Sequence, residues 1–169
     1  MMDESTFQSF YESTKQSLWL YVVRTIGDDA LADDIFQETY IKFLQHTTRE
    51  TNEQAMKSYL YRIATNLIND HWRKQKRERS WFGAEDESVP SKSTDRQADL
   101  QHDVKEAFRH LTPQQRSMLW LAYVEGYEHK EIASMLKLRA GSIKVLLFRA
   151  KQKLLEVFKQ MGITPEMTP

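Results

Sequence analysis

Apolar side chains recur at intervals of three and four residues along most of this chain of 169 residues. Leu60, Ile63 and Leu67, for example, fall on one side of a helix and predict a buried stripe there. Only 5 glycines and 4 prolines occur, which is too few for the many tight turns of a β-sandwich or a barrel. The sequence therefore predicts an all-α protein, and no segment stands out as a strand.

The first half of the chain predicts three helices. The first covers residues 4–25 and ends at Gly27, a residue type that favours helix C-termini. Asp28 or Asp29 can then cap the second helix through its side-chain oxygen. A polar loop follows, and a long third helix is predicted over residues 53–79.

Residues 83–100 differ in composition from the sequence on either side. They contain Gly83, Pro90, several serines and threonines and five acidic residues, but no aromatic residue. This composition is typical of a flexible linker. Fully extended, 18 residues reach at most roughly 60 Å. The sequence thus predicts two small helical domains, at residues 1–82 and 101–169, joined by an acidic linker.

The second half predicts four short helices, over residues 101–110, 113–124, 128–136 and 140–158. Thr112 and Pro113 form a strong helix start, because threonine caps the N-terminus and proline fits the first helical position. The last two helices are separated by a turn of about four residues, which is the helix-turn-helix arrangement of many DNA-binding proteins.

Charge is distributed unevenly, although 24 basic residues balance 24 acidic ones. Residues 1–82 carry 11 basic and 12 acidic side chains, and residues 101–169 carry 11 basic and 7 acidic ones. Between Lys137 and Lys153 there are six basic residues and no acidic one. Such a segment suits the phosphate backbone of DNA, although a solvated basic helix face has the same pattern.

Other functional classes have little support in the sequence. The absence of cysteine excludes disulfides, thiolate metal sites and a cysteine nucleophile. The five histidines lack the spacing of a metal site, and no apolar run approaches the roughly 20 residues that span a bilayer. The N-terminus lacks a secretory signal pattern. We expect a cytoplasmic protein without catalytic activity, membrane insertion, metal, cofactor or small-molecule substrate.

Three blocks of the sequence resemble bacterial sigma factors of the extracytoplasmic-function (ECF) group. Residues 32–43 resemble region 2.2 of that family, and residues 58–70 resemble regions 2.3 and 2.4. Residues 111–144 contain segments similar to region 4, beginning with Leu111-Thr112-Pro113. The blocks occur in the family's order and on both sides of a linker, so the resemblance covers nearly the whole chain.

The resemblance implies that the chain binds core RNA polymerase and promoter DNA, and an anti-sigma factor is a further possible partner. In the family, region 2.2 docks on the polymerase. The corresponding polar side chains are Asp33, Asp34, Gln37 and Glu38. The same acids are also compatible with a solvated face or with a carboxylate pair in acid–base chemistry, but no nucleophile or metal ligand accompanies them.

The resemblance also implies that the third helix reads and melts the −10 promoter element. An aromatic ring, amides and a basic end suit opening DNA, since rings stack on bases, amides bond base edges and cations hold phosphates. Asn66 and Asp70 are similar to the family's Asn and Asp, whereas Tyr59 stands where many relatives carry Trp. The predicted contact residues are Tyr59, Arg62, Asn66, Asn69, Asp70, Arg73, Lys76 and Arg77.

Region 4 implies recognition of the −35 element, but it departs from the family pattern. Relatives usually carry Gly at the position of Lys137, and a Ser-Arg pair where this chain has Val145 and Leu146. Val145 and Phe148 either contact thymine methyl groups or form a patch for a protein partner. The predicted −35 residues are Arg139, Ser142, Lys144, Val145, Phe148, Arg149 and Lys151.

Two rival functions remain compatible with the residues. One is a helix-turn-helix regulator that binds DNA without polymerase. The other is a helical interaction protein whose last helix binds another protein. Binding to core polymerase separates the first rival from a sigma factor, and transcription with core enzyme separates the second.

Overall fold

The computed structural model describes residues 2–46, 52–82 and 99–163. These residues contain helices and turns but no strand, which confirms the all-α prediction. In chain order the helices are α1 (Glu4–Ile26), α2 (Asp29–His46), α3 (Glu53–Phe82), α4 (Asp99–Arg109), α5 (Pro113–Leu119), a π-helical segment (Trp120–Val124), α6 (His129–Leu136) and α7 (Ala140–Gln160).

Helix ends follow the local signals in the sequence. Gly27 adopts a left-handed conformation at φ 78° and closes α1, with its backbone N–H bonded to the carbonyl of Val23. Asp28 caps α2, because its Oδ1 accepts from the backbone N–H of Ala30 at 3.0 Å. Thr112 caps α5 as predicted, and together with Gln115 it forms a capping box.

Several boundaries differ from the sequence-based predictions, and α3 extends beyond the predicted end at residue 79 as far as Phe82. The predicted helix over 113–124 is α-helical only as far as Leu119, after which the chain forms the π-helical segment. In this segment the backbone N–H of Glu125 reaches the carbonyl of Trp120 at 3.1 Å. α4 begins at Asp99, inside the segment predicted as linker, whereas residues 83–98 lie outside the described residues.

The first three helices pack around an aromatic and aliphatic core. Phe10 of α1 stacks on Phe43 of α2 with ring centroids 4.9 Å apart, and the predicted stripe on α3 is buried around Leu60. Several hydroxyl groups inside this core are hydrogen-bonded. The hydroxyls of Thr14 and Tyr40, for example, are 2.7 Å apart.

The second half of the chain packs directly against the first. Its own core includes Ile132 of α6 and Ile143 of α7, both fully buried. This core is continuous with that of the first half. The rings of Tyr21, Tyr61 and Tyr127 form a chain across the boundary, with centroid separations of 5.4 and 5.9 Å. The sequence predicts the two halves but not this contact.

Within the described ranges, no helix combines the length and the apolar character needed to cross a bilayer.

Candidate nucleic-acid interface

The four polar residues predicted to dock on polymerase lie together on the surface of α2. All four are exposed, and we call them the α2 face: Asp33, Asp34, Gln37 and Glu38. Glu38 Oε1 lies 3.5 Å from Lys42 Nζ, one turn further along the helix. Because this ion pair is solvent-exposed, it contributes little to stability.

Two exposed apolar side chains extend the α2 face. Ile41 is 54% exposed and Leu44 is 44% exposed. Ile41 follows Gln37 by one helical turn, and Leu44 follows Ile41 by three residues, so the side chains are neighbours on one stripe. The sequence reasoning missed them, although an apolar residue one turn beyond a polar docking residue is a readable signal.

The eight residues predicted to contact the −10 element lie along one side of α3. Their spacing of three and four residues aligns them, opposite the buried stripe that contains Leu60 and Ala64. We call this set the α3 face: Tyr59, Arg62, Asn66, Asn69, Asp70, Arg73, Lys76 and Arg77.

Exposure differs along the α3 face. The charged residues are exposed, whereas Tyr59, Asn66 and Asn69 are half-buried. The ring of Tyr59 lies 6.0 Å from that of Phe43, which holds it against α2. Asp70 Oδ1 is 3.7 Å from Arg73 Nη1. The two amides are therefore partly buried in the protein surface, whereas the cationic side chains extend into solvent.

The predicted −35 residues lie on the outer side of α7 and at its start. Val145 is 50% exposed and Phe148 is 63% exposed, while Ile143 and Leu147 face the core. Ser142 is half-buried and the four cations are exposed. We call this set the α7 face: Arg139, Ser142, Lys144, Val145, Phe148, Arg149 and Lys151.

Tyr123, in the π-helical segment, adds an aromatic group to the α7 face. Its ring is exposed and lies 5.8 Å below Lys151 Nζ, within the range of a cation–π contact. The sequence analysis did not identify Tyr123, because in the predicted regular α-helix over residues 113–124 its side chain would point in another direction than it does in the π-helical segment.

The turn between α6 and α7 contains a strained residue. Lys137 adopts φ 57° and ψ 44°, and it is the only non-glycine residue with positive φ among those described. Its backbone N–H closes α6 by bonding to the carbonyl of Ala133. The position that usually carries Gly in the resembling family thus has the conformation that favours glycine.

The described residues contain no group of His, Asp or Glu arranged to hold a metal ion. His71 contacts Trp72 through their rings, 5.5 Å apart. His46, His102, His110 and His129 are exposed.

Comparison with known proteins gives two family matches. Residues 10–78 match Sigma-70 region 2, and residues 101–154 match Sigma-70 region 4. The first match contains the α2 and α3 faces, and the second contains the α7 face. The two matches occur in the order predicted from the sequence.

Two similar proteins and one solved structure each align with most of the chain, including both halves. The ECF RNA polymerase sigma factor SigL of Mycobacterium tuberculosis is 28% identical over 96% of this chain and 94% of its own length. SigM of Bacillus subtilis is 23% identical over 95% of this chain and 99% of its own. The solved structure of RpoE from Bartonella quintana, in complex with the anti-sigma factor NepR, aligns with a TM-score of 0.71 at 25% identity and covers 90% of this chain and 96% of that one.

Proposed function

We propose that the α2, α3 and α7 faces divide among them the work of an ECF-type sigma factor, since the chain belongs to that group of the sigma-70 family. Such a factor binds core RNA polymerase and directs promoter-specific transcription initiation. The α2 face docks on polymerase, the α3 face opens and reads the −10 element, and the α7 face reads the −35 element. The alignment of amides and cations on α3 is the observation that carries this proposal most directly.

Docking through α2 rests on its mixed chemistry. Asp34 and Glu38 supply charge for a basic partner surface, while Ile41 and Leu44 supply apolar area that is otherwise unexplained on a monomer. An interface with an apolar centre and a polar rim is typical of specific protein contacts.

The α3 face has the groups that an opening duplex requires. Arg73, Lys76 and Arg77 are exposed and can neutralise phosphates. Asn69 and Asn66 are held half-buried about one and two turns before these cations, where their amides can bond the edges of an unpaired base. Tyr59 offers a ring, backed by Phe43, on which a base can stack.

The α7 face reads its DNA partly through apolar contacts. Val145 and Phe148 are adjacent on the exposed side of the helix, and cations surround them. A cationic rim with no acidic residue favours DNA over a protein partner. Thymine presents a methyl group in the major groove, and apolar side chains recognise it there.

The domains are proposed at residues 1–82 and 101–169, with residues 83–100 as the connection. The chain performs no chemistry itself, because polymerase supplies the active site, and it acts in the cytoplasm where polymerase and DNA are found. We include an anti-sigma factor among its partners, as in the similar RpoE complex.

Run-off transcription with core polymerase on a promoter library tests the whole proposal, because the transcripts report both recognised elements. Asp34→Arg reverses a charge at the centre of the α2 face, so we expect it to abolish transcription and to reduce binding to core polymerase by roughly a hundredfold or more, as for a central interface residue.

The matched control is Glu12→Arg, the same reversal on the exposed side of α1, where Glu12 pairs with Lys15 at 2.7 Å. This variant should bind core polymerase like the wild type. Equal binding by Asp34→Arg and the wild type would remove α2 from the docking surface. A chain that binds promoter DNA but never binds polymerase would be a conventional helix-turn-helix regulator.

A further inference from the structure

An apolar pair lies at the centre of the α7 face, in the part of the helix that contacts bases in a helix-turn-helix protein. Val145 and Phe148 are at least half exposed, whereas Ile143 and Leu147 are buried on the other side of α7 and fix its rotation. In the helix-turn-helix arrangement, the N-terminal part of the second helix enters the major groove. Val145 and Phe148 both fall within the first three turns of α7, so they lie where base edges are read.

The spacing of this pair is compatible with two neighbouring base pairs. Residues three apart on a helix have β-carbons about 5–6 Å from each other, and the base pairs of B-DNA are stacked at intervals of ~3.4 Å. Val145 and Phe148 can therefore contact the C5 methyl groups of two adjacent pyrimidines at once. Such a contact is favourable because it removes apolar surface of both partners from water.

The polar side chains around the pair are mostly hydrogen-bond donors. Lys144, Arg149 and Lys151 are exposed, and Lys151 Nζ lies 5.8 Å from the ring centroid of Tyr123. Lysine and arginine side chains donate hydrogen bonds but accept none. Of the side chains that form the α7 face, only that of Ser142 can accept one. The amino group of cytosine, which a carboxylate recognises in other DNA-binding proteins, therefore has little to bind on this face.

A methyl group at C5 distinguishes the pyrimidine bases in two parallel ways. Thymine carries a methyl group that uracil lacks, and 5-methylcytosine carries the same group on the same carbon, where cytosine has only hydrogen. This position faces the major groove and takes no part in base pairing. A protein face that contacts the methyl group, and that has little to bind the amino group, groups 5-methylcytosine with thymine and separates both from cytosine.

We propose that the α7 face recognises C5-methylated pyrimidines as a class, so that 5-methylcytosine can replace thymine in the −35 element while unmethylated cytosine cannot. Methylation of a cytosine at such a position then strengthens the promoter for this protein. This recognition rests on the proposed reading of the −35 element by α7, and it extends that reading to a second, covalently modified base.

Synthetic promoter duplexes test the proposal. The full chain, bound to core polymerase, first selects its preferred −35 sequence from a randomised duplex library. Each thymine of the selected element is then replaced in turn by uracil, by cytosine and by 5-methylcytosine, with the complementary base opposite. Uracil removes only the methyl group, whereas cytosine also changes the hydrogen-bonding groups. Competition binding with the same complex measures the relative affinity of each duplex.

We expect uracil to weaken binding by roughly fourfold at two neighbouring thymines, as for the loss of one buried apolar carbon. Cytosine should weaken binding there at least as much, and 5-methylcytosine should restore it to within roughly twofold of thymine. Phe148→Ala should abolish the difference between thymine and uracil at one of the two positions, and Val145→Ala should abolish it at the other.

Leu155→Ala is the matched control, since Leu155 is also exposed on α7 but lies about two turns beyond Phe148. This variant should keep the difference between thymine and uracil at both positions. Circular dichroism verifies that each variant retains its helices.

Equal binding of thymine and uracil at every position, or a selected −35 element without thymine, would overturn the methyl contact. A preference for thymine over uracil, with no preference for 5-methylcytosine over cytosine, would overturn the recognition of a class. If Phe148→Ala loses core polymerase while its thymine preference is unchanged, the apolar pair binds a protein and the proposal is wrong.

Run-off transcription from the selected promoter tests the proposed function separately. Absence of any transcript would refute that function, whereas the affinities of the same duplexes would still decide the methyl contact. A transcript that depends on thymine or 5-methylcytosine at the two positions, and that falls with cytosine or uracil, would support both.

Discussion

The α3 and α7 faces differ in chemistry although both are proposed to contact the same promoter. The centre of the α3 face consists of amides, seated half-buried beside exposed cations. The centre of the α7 face consists of Val145 and Phe148, exposed and surrounded by cations. Amide side chains recognise the hydrogen-bonding groups of unpaired bases, whereas apolar side chains recognise the shape and the methyl groups of an intact duplex. The difference therefore suggests that opening and docking of the promoter are assigned to separate helices.

Of the two DNA-contacting faces, α3 is expected to show the larger effect. Asn66→Ala removes an amide that bonds a captured base, so we expect transcription to fall by ~10–100-fold, corresponding to about 1–3 kcal/mol for a lost base contact. Binding of the closed duplex by the polymerase complex should be nearly unchanged. Run-off transcription and gel-shift assays measure the two quantities.

Gln54→Ala is the control, since Gln54 is an exposed amide in the first turn of the same helix but outside the α3 face. It should leave both quantities unchanged. If Asn66→Ala weakens duplex binding as much as it lowers transcription, the two faces do not divide opening from docking.

A smaller effect is expected on α7. Phe148→Ala should reduce the preference for thymine at one position of the −35 element by about 1 kcal/mol, or roughly fivefold, while affinity for other sequences changes little. Competition binding with single-base variants of the element measures this preference.

Phe148→Arg probes the same position with the opposite chemistry. A cation placed on the α7 face adds a phosphate contact, so affinity should increase modestly while the preference for thymine disappears. An equal improvement on all sequences, with no preference in the wild type to lose, would count against a thymine contact and in favour of a protein-binding patch.

The smallest effect concerns the turn that orients α7. Lys137→Gly relieves a left-handed conformation that disfavours a β-carbon, so we expect a gain of about 0.5–1 kcal/mol in the free energy of unfolding, after the entropy cost of glycine in the unfolded chain. Urea denaturation measures it. Ser134→Gly, at an exposed position inside α6, should instead lose about 0.5 kcal/mol. If both substitutions lower the free energy of unfolding, the charge of Lys137 stabilises the fold by more than its left-handed conformation destabilises it.

Features that depend on neighbouring residues were predicted well from the sequence. The capping box at Thr112, the left-handed Gly27 and the buried stripe of α3 all arise within a few positions of the chain, where residue type largely determines conformation. The outward direction of Lys144 and Phe148 followed for the same reason, because helical periodicity fixes which side chains oppose the core.

Contacts between distant residues were not predicted. Tyr61 is buried, but its partner Glu125 is 64 positions away and no local pattern connects them. The π-helical segment was missed because its residues have the composition of an ordinary helix. Arg116 likewise has no acidic partner among the described residues to suggest its burial, since its bonds there go to backbone carbonyls.

The π-helical segment gives the chain a dependence on length rather than on residue type. A π turn accommodates one residue more than the α-helical hydrogen-bonding pattern. Deleting one residue from the π-helical segment would return it to the α pattern and largely keep the direction of the following chain, whereas deleting one residue from the regular turns of α5 would rotate that chain by about 100°. In the second case Glu125 would turn away from Tyr61, and α6 and α7 would approach α3 from another direction. The phase between the two halves thus depends on the number of residues in α5, and the π-helical segment can absorb a change in that number.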